Sequence, residues 1–247
     1  MTRTAYPAHL NASLDPRLNR WLWLVKWLLA IPHYVVLVFL WIAFVAVSVV
    51  AFFTILFSGR YPRGMFEFNV GVLRWSWRVS YYAYGALGTD RYPPFTLKDV
   101  SQYPARFDVD YPQSLSRGLV LVKWWLLALP HYVVVGVFAG GGLFVADQTA
   151  SDSSPWLLGG GLIGLLVCFA AVALLFTGSY PRSIFDLVLG LNRWVLRVVA
   201  YAALMTDVYP PFRLDMGPGE PMEDHIAVSS PLPGKPPSMT TPDASPA

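Results

Sequence analysis

The run Leu24-Val25-Lys26-Trp27-Leu28-Leu29-Ala30-Ile31-Pro32-His33-Tyr34 returns about a hundred residues later as Leu121-Val122-Lys123-Trp124-Trp125-Leu126-Leu127-Ala128-Leu129-Pro130-His131-Tyr132, with one residue added. Other blocks keep the same order around it. Upstream, Tyr6-Pro7-Ala8 recurs as Tyr103-Pro104-Ala105. Downstream, Phe57-Ser58-Gly59-Arg60-Tyr61-Pro62-Arg63 recurs as Phe176-Thr177-Gly178-Ser179-Tyr180-Pro181-Arg182. Gly71, Arg74, Trp75, Arg78 and Tyr82 recur at constant spacing as Gly190, Arg193, Trp194, Arg197 and Tyr201. Thr89-Asp90-Arg91-Tyr92-Pro93-Pro94-Phe95 recurs as Thr206-Asp207-Val208-Tyr209-Pro210-Pro211-Phe212. Ordered blocks of this kind mark a tandem duplication, with one copy over 5–98 and the other over 99–215.

The composition says where such a module lives. Of 247 residues, 55% are hydrophobic and 13% charged, and the mean hydropathy is +0.47. Soluble domains carry about 25% charged residues, so half the usual polar surface is missing. Aromatic residues reach 15%, which suits a chain with long water–lipid boundaries. Net charge is only +3, with Lys and Arg scattered among aromatics, which argues against nucleic acid as a partner. The single cysteine, Cys168, lies in an apolar run and reads as a small apolar side chain. A disulfide within the chain is excluded. The first sixteen residues are polar and the aromatic segment that follows contains Arg20 and Lys26, so no cleavable signal peptide is expected.

In combination, Lys-Trp-x-Leu-Ala-x-Pro-His-Tyr, Ser/Thr-Gly-x-Tyr-Pro-Arg, Arg-Trp-x-x-Arg-Val and Tyr-Pro-Pro-Phe resemble the bacterial membrane family called domain of unknown function 4389. The resemblance covers about residues 5–215, twice over. It implies a bacterial membrane protein and brings no activity, cofactor or catalytic residue with it. The second copy departs by about twenty residues inserted between its His-Tyr and Gly-x-Tyr-Pro-Arg motifs.

The expected fold is an all-α integral membrane protein: a tandem duplicated helical module with interfacial amphipathic helices and short extended surface segments. His33 to Phe57 is a charge-free run of 25 residues, about 37 Å as helix, enough to cross a ~30 Å hydrocarbon core. In the second copy the insertion splits this region into His131–Ala146 and Pro155–Phe176, around a polar loop, Asp147–Ser154, that lacks Lys and Arg. The positive-inside rule puts that loop outside and the basic Gly88–Pro130 segment inside. The helices Leu18–Ile31 and Leu115–Leu129 are short and carry a central Lys, so they read as interfacial, with Lys26 and Lys123 snorkelling. With His33, Tyr34, His131 and Tyr132 they form a candidate interfacial motif; the alternative for Pro-His-Tyr is a proton-linked site.

The segments Met65–Leu87 and Ser183–Met205 each carry a narrow polar stripe: Glu67, Arg74 and Arg78 in one, Asp186, Arg193 and Arg197 in the other. Two central Arg cost roughly +5 to +7 kcal/mol against about −3 to −6 from the apolar residues, so neither helix is expected to span without a partner. Charge parity favours five crossings in all. Within one helix the acid lies about 10 Å from the first Arg, so each acid is expected to pair with an Arg of the opposite repeat. Three roles stay open for the stripes: a bundle-holding ion pair, an anionic-lipid contact, or a transport pathway.

Tyr92–Val100 and Tyr103–Tyr111 are expected to pair as a surface hairpin, and the Pro-rich 216–247 tail to be disordered. No metal-ligand spacing, phosphate loop or nucleophile elbow is present, and no cofactor is expected. The Gly runs at 140–142 and 159–161 read as helix-packing positions. The expected function is a non-enzymatic scaffold, lipid-interaction or partner-binding role in the bacterial cytoplasmic membrane, as a multi-pass protein. Its partners would be membrane lipids, another membrane protein or a second copy of itself. The alternative is a small transporter or channel with its site between the two Arg-bearing helices.

Overall fold

The computed structural model describes residues 6–140 and 161–217. Its elements in chain order are β1 (Ala8–Ala12), α1 (Trp23–Ser58), α2 (Arg63–Tyr82), β2 (Ala105–Val109), α3 (Arg117–Val122), a π-helical turn (Lys123–Leu127), α4 (Leu129–Ala139), α5 (Gly161–Thr177) and α6 (Arg182–Ala202). The described chain is therefore mostly helical, with one strand pair. The expected loop at 147–154 and the tail from 218 onward lie outside the described residues.

The expected break before Pro32 does not occur. Leu18–Ile31 and His33–Phe57 largely merge into α1, a single helix of 36 residues that runs through the proline. Pro32 deletes one hydrogen bond of the ladder, and the Tyr92 hydroxyl donates to the nearby Leu29 carbonyl at 3.1 Å. Gly59 ends the helix as its sequence implies, left-handed at φ 70° with its N–H on the Ile55 carbonyl. By length and composition α1 could cross a membrane, and the α3–α4 pair, bent by 46°, would make a second such segment if taken as one. Among the described residues, most of the apolar surface of α1 is left uncovered by the rest of the chain.

The second copy reaches the same place by a different path. Its added residue is absorbed by the π turn at Lys123–Leu127, the usual way for a helix to take in one extra residue without shifting what lies on either side. Gly140 and Gly161 are both left-handed, at φ 97° and 55°, and a Cβ on Gly161 would collide with the Gly140 backbone. Along α5 the buried residues Ile163, Val167, Ala170 and Leu174 repeat the spacing of Phe44, Ser48, Ala51 and Ile55 in α1. The pair α4 and α5 thus lies along α6 as α1 lies along α2.

Deleting Trp125 should restore the spacing of the first copy, remove the π turn and change stability by no more than about 1 kcal/mol. Deleting Leu28 from α1 should instead rotate Lys26 by about 100° relative to His33 and cost several kcal/mol. Chemical unfolding followed by tryptophan fluorescence in a bilayer mimetic compares the two.

The strands correct another expectation. Residues 92–100 form no strand. Instead β2 pairs antiparallel with β1, in the register Ala8↔Val109, Leu10↔Phe107 and Ala12↔Ala105. The reason is the duplication itself: the strand that follows Tyr103-Pro pairs with the equivalent strand that follows Tyr6-Pro, rather than with its neighbour in the chain. Leu10 and Phe107 are equivalent positions of the two copies, so an approximate twofold axis passes between them. The strands are also exchanged: β1 packs on α6 of the second copy and β2 on α2 of the first. Three layers result, with α1 and α3–α5 outermost, α2 and α6 in the middle, and the sheet on the far side.

Candidate functional site

The motifs that repeat most tightly in sequence build the same two constellations in space. In the first copy Lys26 is buried at the start of α1, where its ammonium donates to the Thr89 carbonyl at 2.7 Å and pairs with Asp90 at 2.8 Å. In the second, Lys123 donates to the Thr206 carbonyl at 3.0 Å and pairs with Asp207 at 2.7 Å. Each ammonium also faces a tyrosine ring, Tyr82 at 5.0 Å and Tyr201 at 5.6 Å. The second oxygen of each aspartate accepts a backbone N–H, from Asn19 and from Ser116, both at 2.6 Å. The two lysines do not snorkel. Each takes its charge inward because a carboxylate and a carbonyl are waiting, which offsets the desolvation that an unpaired buried charge would suffer.

Two turns on, His33 and His131 are fully buried. Their Nδ1 atoms accept from the indole N–H of Trp75 at 3.1 Å and of Trp194 at 3.2 Å. Each ring stacks on the phenylalanine of Tyr-Pro-Pro-Phe, His33 on Phe95 at 3.9 Å and His131 on Phe212 at 4.2 Å. An accepting Nδ1 fixes the neutral Nε2–H tautomer. Both Nε2 atoms are buried without a hydrogen bond, although the Pro210 carbonyl lies close to the His131 ring. Of the expected interfacial motif, only Tyr34 and Tyr132 are exposed, at 44% and 40%.

The arginine stripes turn toward the sheet rather than toward each other. Arg74 donates from Nε to the Phe107 carbonyl at 3.0 Å and from Nη1 to the Leu97 carbonyl at 3.2 Å, and pairs with Asp108 at 2.9 Å. Arg193 donates to the Leu10 carbonyl from Nε at 3.2 Å and Nη2 at 3.0 Å, to Gly217 at 3.1 Å, and to the Asp215 carbonyl. Two equivalent arginines therefore clamp two equivalent carbonyls at the centre of the sheet. A Cβ on Gly71 would lie 2.8 Å from that of Leu97, so the glycine of each stripe lets the following loop close over it. Arg197 pairs with Asp215 at 2.6 Å. Arg78 donates to the Thr96 carbonyl, and its Nε and Nη1 are buried without partners.

The expected pairing of Glu67 and Asp186 with arginines of the opposite repeat is not what forms. Among the described residues neither acid makes an ion pair. Glu67 is exposed beside a hollow of about 200 Å³ that Arg63, Arg74 and Asp108 also line. Asp186 is half-buried. Strand carbonyls reach the guanidinium groups first, because each Arg face is covered by a strand.

The tyrosines of the two Tyr-Pro-Ala motifs complete the symmetry. Tyr103 donates to the Arg91 carbonyl at 3.2 Å and Tyr6 to the Val208 carbonyl at 3.2 Å. Burial pushes both phenols well above their ordinary pKa, so they stay protonated donors. Near the exposed face of the sheet, the Arg106 hydrogen bond holds the Asp99 carboxyl below the usual range.

These shared contacts coincide with a match to one protein family, described as a domain of unknown function (DUF4389), over residues 20–96 and 156–213. The chain belongs to this family. No curated protein and no solved structure matches it. The two matched segments are consistent with two DUF4389 copies. The second stops short of Lys123 and His131, yet those residues hold the same contacts as Lys26 and His33 in the first. Among the described residues of this DUF4389 chain, no three His, Cys, Asp or Glu side chains converge as a metal site. The residues that sequence reasoning passed over are Asp90, Asp207, Phe95 and Phe212. All four recur in the repeat, and Lys26–Asp90 returning as Lys123–Asp207 was the signal available.

Proposed function

We propose that the chain is a non-enzymatic, lipid-contacting scaffold of the bacterial cytoplasmic membrane. The observation that carries this reading is where its charges go. Lys26, Lys123, Arg74, Arg193 and Arg197 all bond to carbonyls or carboxylates of their own chain. What remains outward on α1 and α5 is apolar, with Phe39 68%, Phe57 75%, Leu165 65% and Phe176 79% exposed. Soluble monomers rarely expose a contiguous apolar surface of this kind. A groove of about 520 Å³, lined by Phe44, Val49 and Phe53 of α1 and by Trp124, Tyr132 and Leu204 of the second copy, suits an acyl chain. Another membrane protein or a second copy of this chain would meet the same face.

The rival reading, a small transporter with its site between the Arg-bearing helices, needs cations available to a solute. Here the guanidinium groups of Arg74, Arg193 and Arg197 are engaged by strands and loops instead. An enzyme would need a nucleophile and a base in register, and both buried histidines are stacked and held by tryptophans.

Reconstitution into phosphatidylethanolamine–phosphatidylglycerol vesicles separates these readings. The vesicles should retain anions and dye as protein-free vesicles do, and native mass spectrometry should find phospholipid kept through detergent exchange. A saturable anion flux that Arg78→Ala abolishes would favour the transporter. Partition of the chain into the aqueous phase of a detergent cloud-point separation would end the membrane reading altogether.

A further inference from the structure

We propose that the chain sits in one leaflet, with α1 and the α4–α5 pair lying in the membrane plane as an apolar raft and the sheet facing water. This rests on the membrane reading above and says how the membrane is met. The argument begins with the layer order. Helix α2 runs antiparallel along α1, with Trp75 on His33, the Trp41 indole on Ser76 at 3.1 Å, and Asn69 on Ser48 at 3.0 Å. On its other face, β2 and the residues flanking it run along α2. The Tyr103 hydroxyl reaches the Arg78 carbonyl, Phe107 meets Arg74, and Tyr111 meets Phe66 edge to face. The sheet therefore lies beside the whole of α2, and α2 beside α1. If α1 stood along the membrane normal, the sheet would lie at the same depth, in hydrocarbon.

The sheet cannot live there. Among the described residues it has two strands, so each has one edge without a strand partner, and open sheet edges do not occur in lipid. Its inner positions, Leu10, Ala105, Phe107 and Val109 among them, are buried on the helices. Its outer positions are polar. Arg106 is 52% exposed and Asp108 71%, and Asp110, just past β2, is 73% exposed. These are the side chains that a bilayer centre tolerates least.

In the plane, every surface finds its solvent. Lys26, Ala30, His33, Leu37, Phe44, Ala51 and Ile55 make one buried stripe along α1, and the rest of that helix turns apolar side chains outward. A helix is about 10–12 Å across with its side chains, which fits within one leaflet of a ~30 Å hydrocarbon core. Both ends of the raft carry arginine. The Arg20 side chain lies against Gly178 at the end of α5, and Arg117 lies by Gly59 at the end of α1. Cations at both ends suit the phosphates of a single leaflet, whereas a crossing helix gathers them at one end. This arrangement replaces the five crossings that charge parity led us to expect.

Single cysteines placed by Arg17→Cys, Arg60→Cys and Asp110→Cys in a Cys168→Ala background test the proposal. All three should react with a membrane-impermeant maleimide from the same side of oriented vesicles. Labelling of Arg17→Cys and Arg60→Cys from opposite sides would overturn it. Fluorophores at Phe39→Cys and Phe53→Cys give a second measure, by quenching with lipids brominated at stepped chain positions. A raft gives the same shallow depth at both sites, and a transverse helix gives depths differing by tens of per cent of the core thickness. Loss of all vesicle binding would instead sink the membrane reading itself.

Discussion

Replacing Asp215 by alanine should destabilise the folded chain by about 3–5 kcal/mol, the cost of removing the carboxylate that is paired with a buried charge. The Asp215 carboxylate is 8% exposed and pairs with Arg197, itself 4% exposed, at 2.6 Å. Arg213 reaches the same carboxylate at 3.0 Å from a half-exposed position and contributes little. The Arg193 bond goes to the Asp215 main-chain carbonyl, so alanine leaves it in place and isolates the carboxylate. The first copy supplies the complementary experiment. Lys98 occupies the position equivalent to Asp215, and there Arg78 has two buried nitrogens without partners. Lys98→Asp should stabilise the chain by about 1.5 kcal/mol, the typical worth of a hydrogen bond to a charged group. Both shifts are read from chemical unfolding by tryptophan fluorescence in a bilayer mimetic. A loss below about 1 kcal/mol for Asp215→Ala would mean that Arg197 is satisfied without this carboxylate.

The duplication and its helices were legible because repeated blocks report on shared contacts even when the contacts are unknown. The capping Gly59 and the helical character of 65–87 and 183–205 could be read from residue type and period; the close approach of Leu97 to Gly71 could not. Partner choice could not. Lys26 and Lys123 looked like snorkelling residues because a central lysine in an aromatic helix has that default. Their aspartates stand 64 and 84 residues away in sequence, beside Tyr-Pro-Pro-Phe, where nothing local marks an ion-pair partner. The strand exchange was hidden for a related reason. Antiparallel pairing of Leu10 with Phe107 joins equivalent positions of two copies, and period-2 patterns over five residues do not name their partner. The arginines then followed the strands. A guanidinium with five donors takes carbonyls as readily as carboxylates, so a search for acids alone pointed to Glu67 and Asp186.

That capacity of arginine sets the last expectation. Arg193→Ala should cost on the order of 3–5 kcal/mol, because it strips hydrogen bonds from the buried carbonyl of Leu10 and from those of Asp215 and Gly217. Arg193→Lys should recover little, since an ammonium at one point cannot reach the Leu10, Asp215 and Gly217 carbonyls that the guanidinium spreads its donors over. Arg74→Ala should cost less, about 1–3 kcal/mol, because its side chain is 13% exposed and its carboxylate partner, Asp108, is 71% exposed. The double variant is the decisive member of the set. Leu10 and Phe107 are paired across the sheet, so the two arginines hold one object from opposite sides. Once either is lost, the sheet is anchored on one helix only, and the second loss should cost at least about 1 kcal/mol less than it does alone. Simple additivity would mean that each strand is fixed by its own helix packing, with the arginines acting independently. In that case the twofold clamp is a symmetry of position without an energetic role.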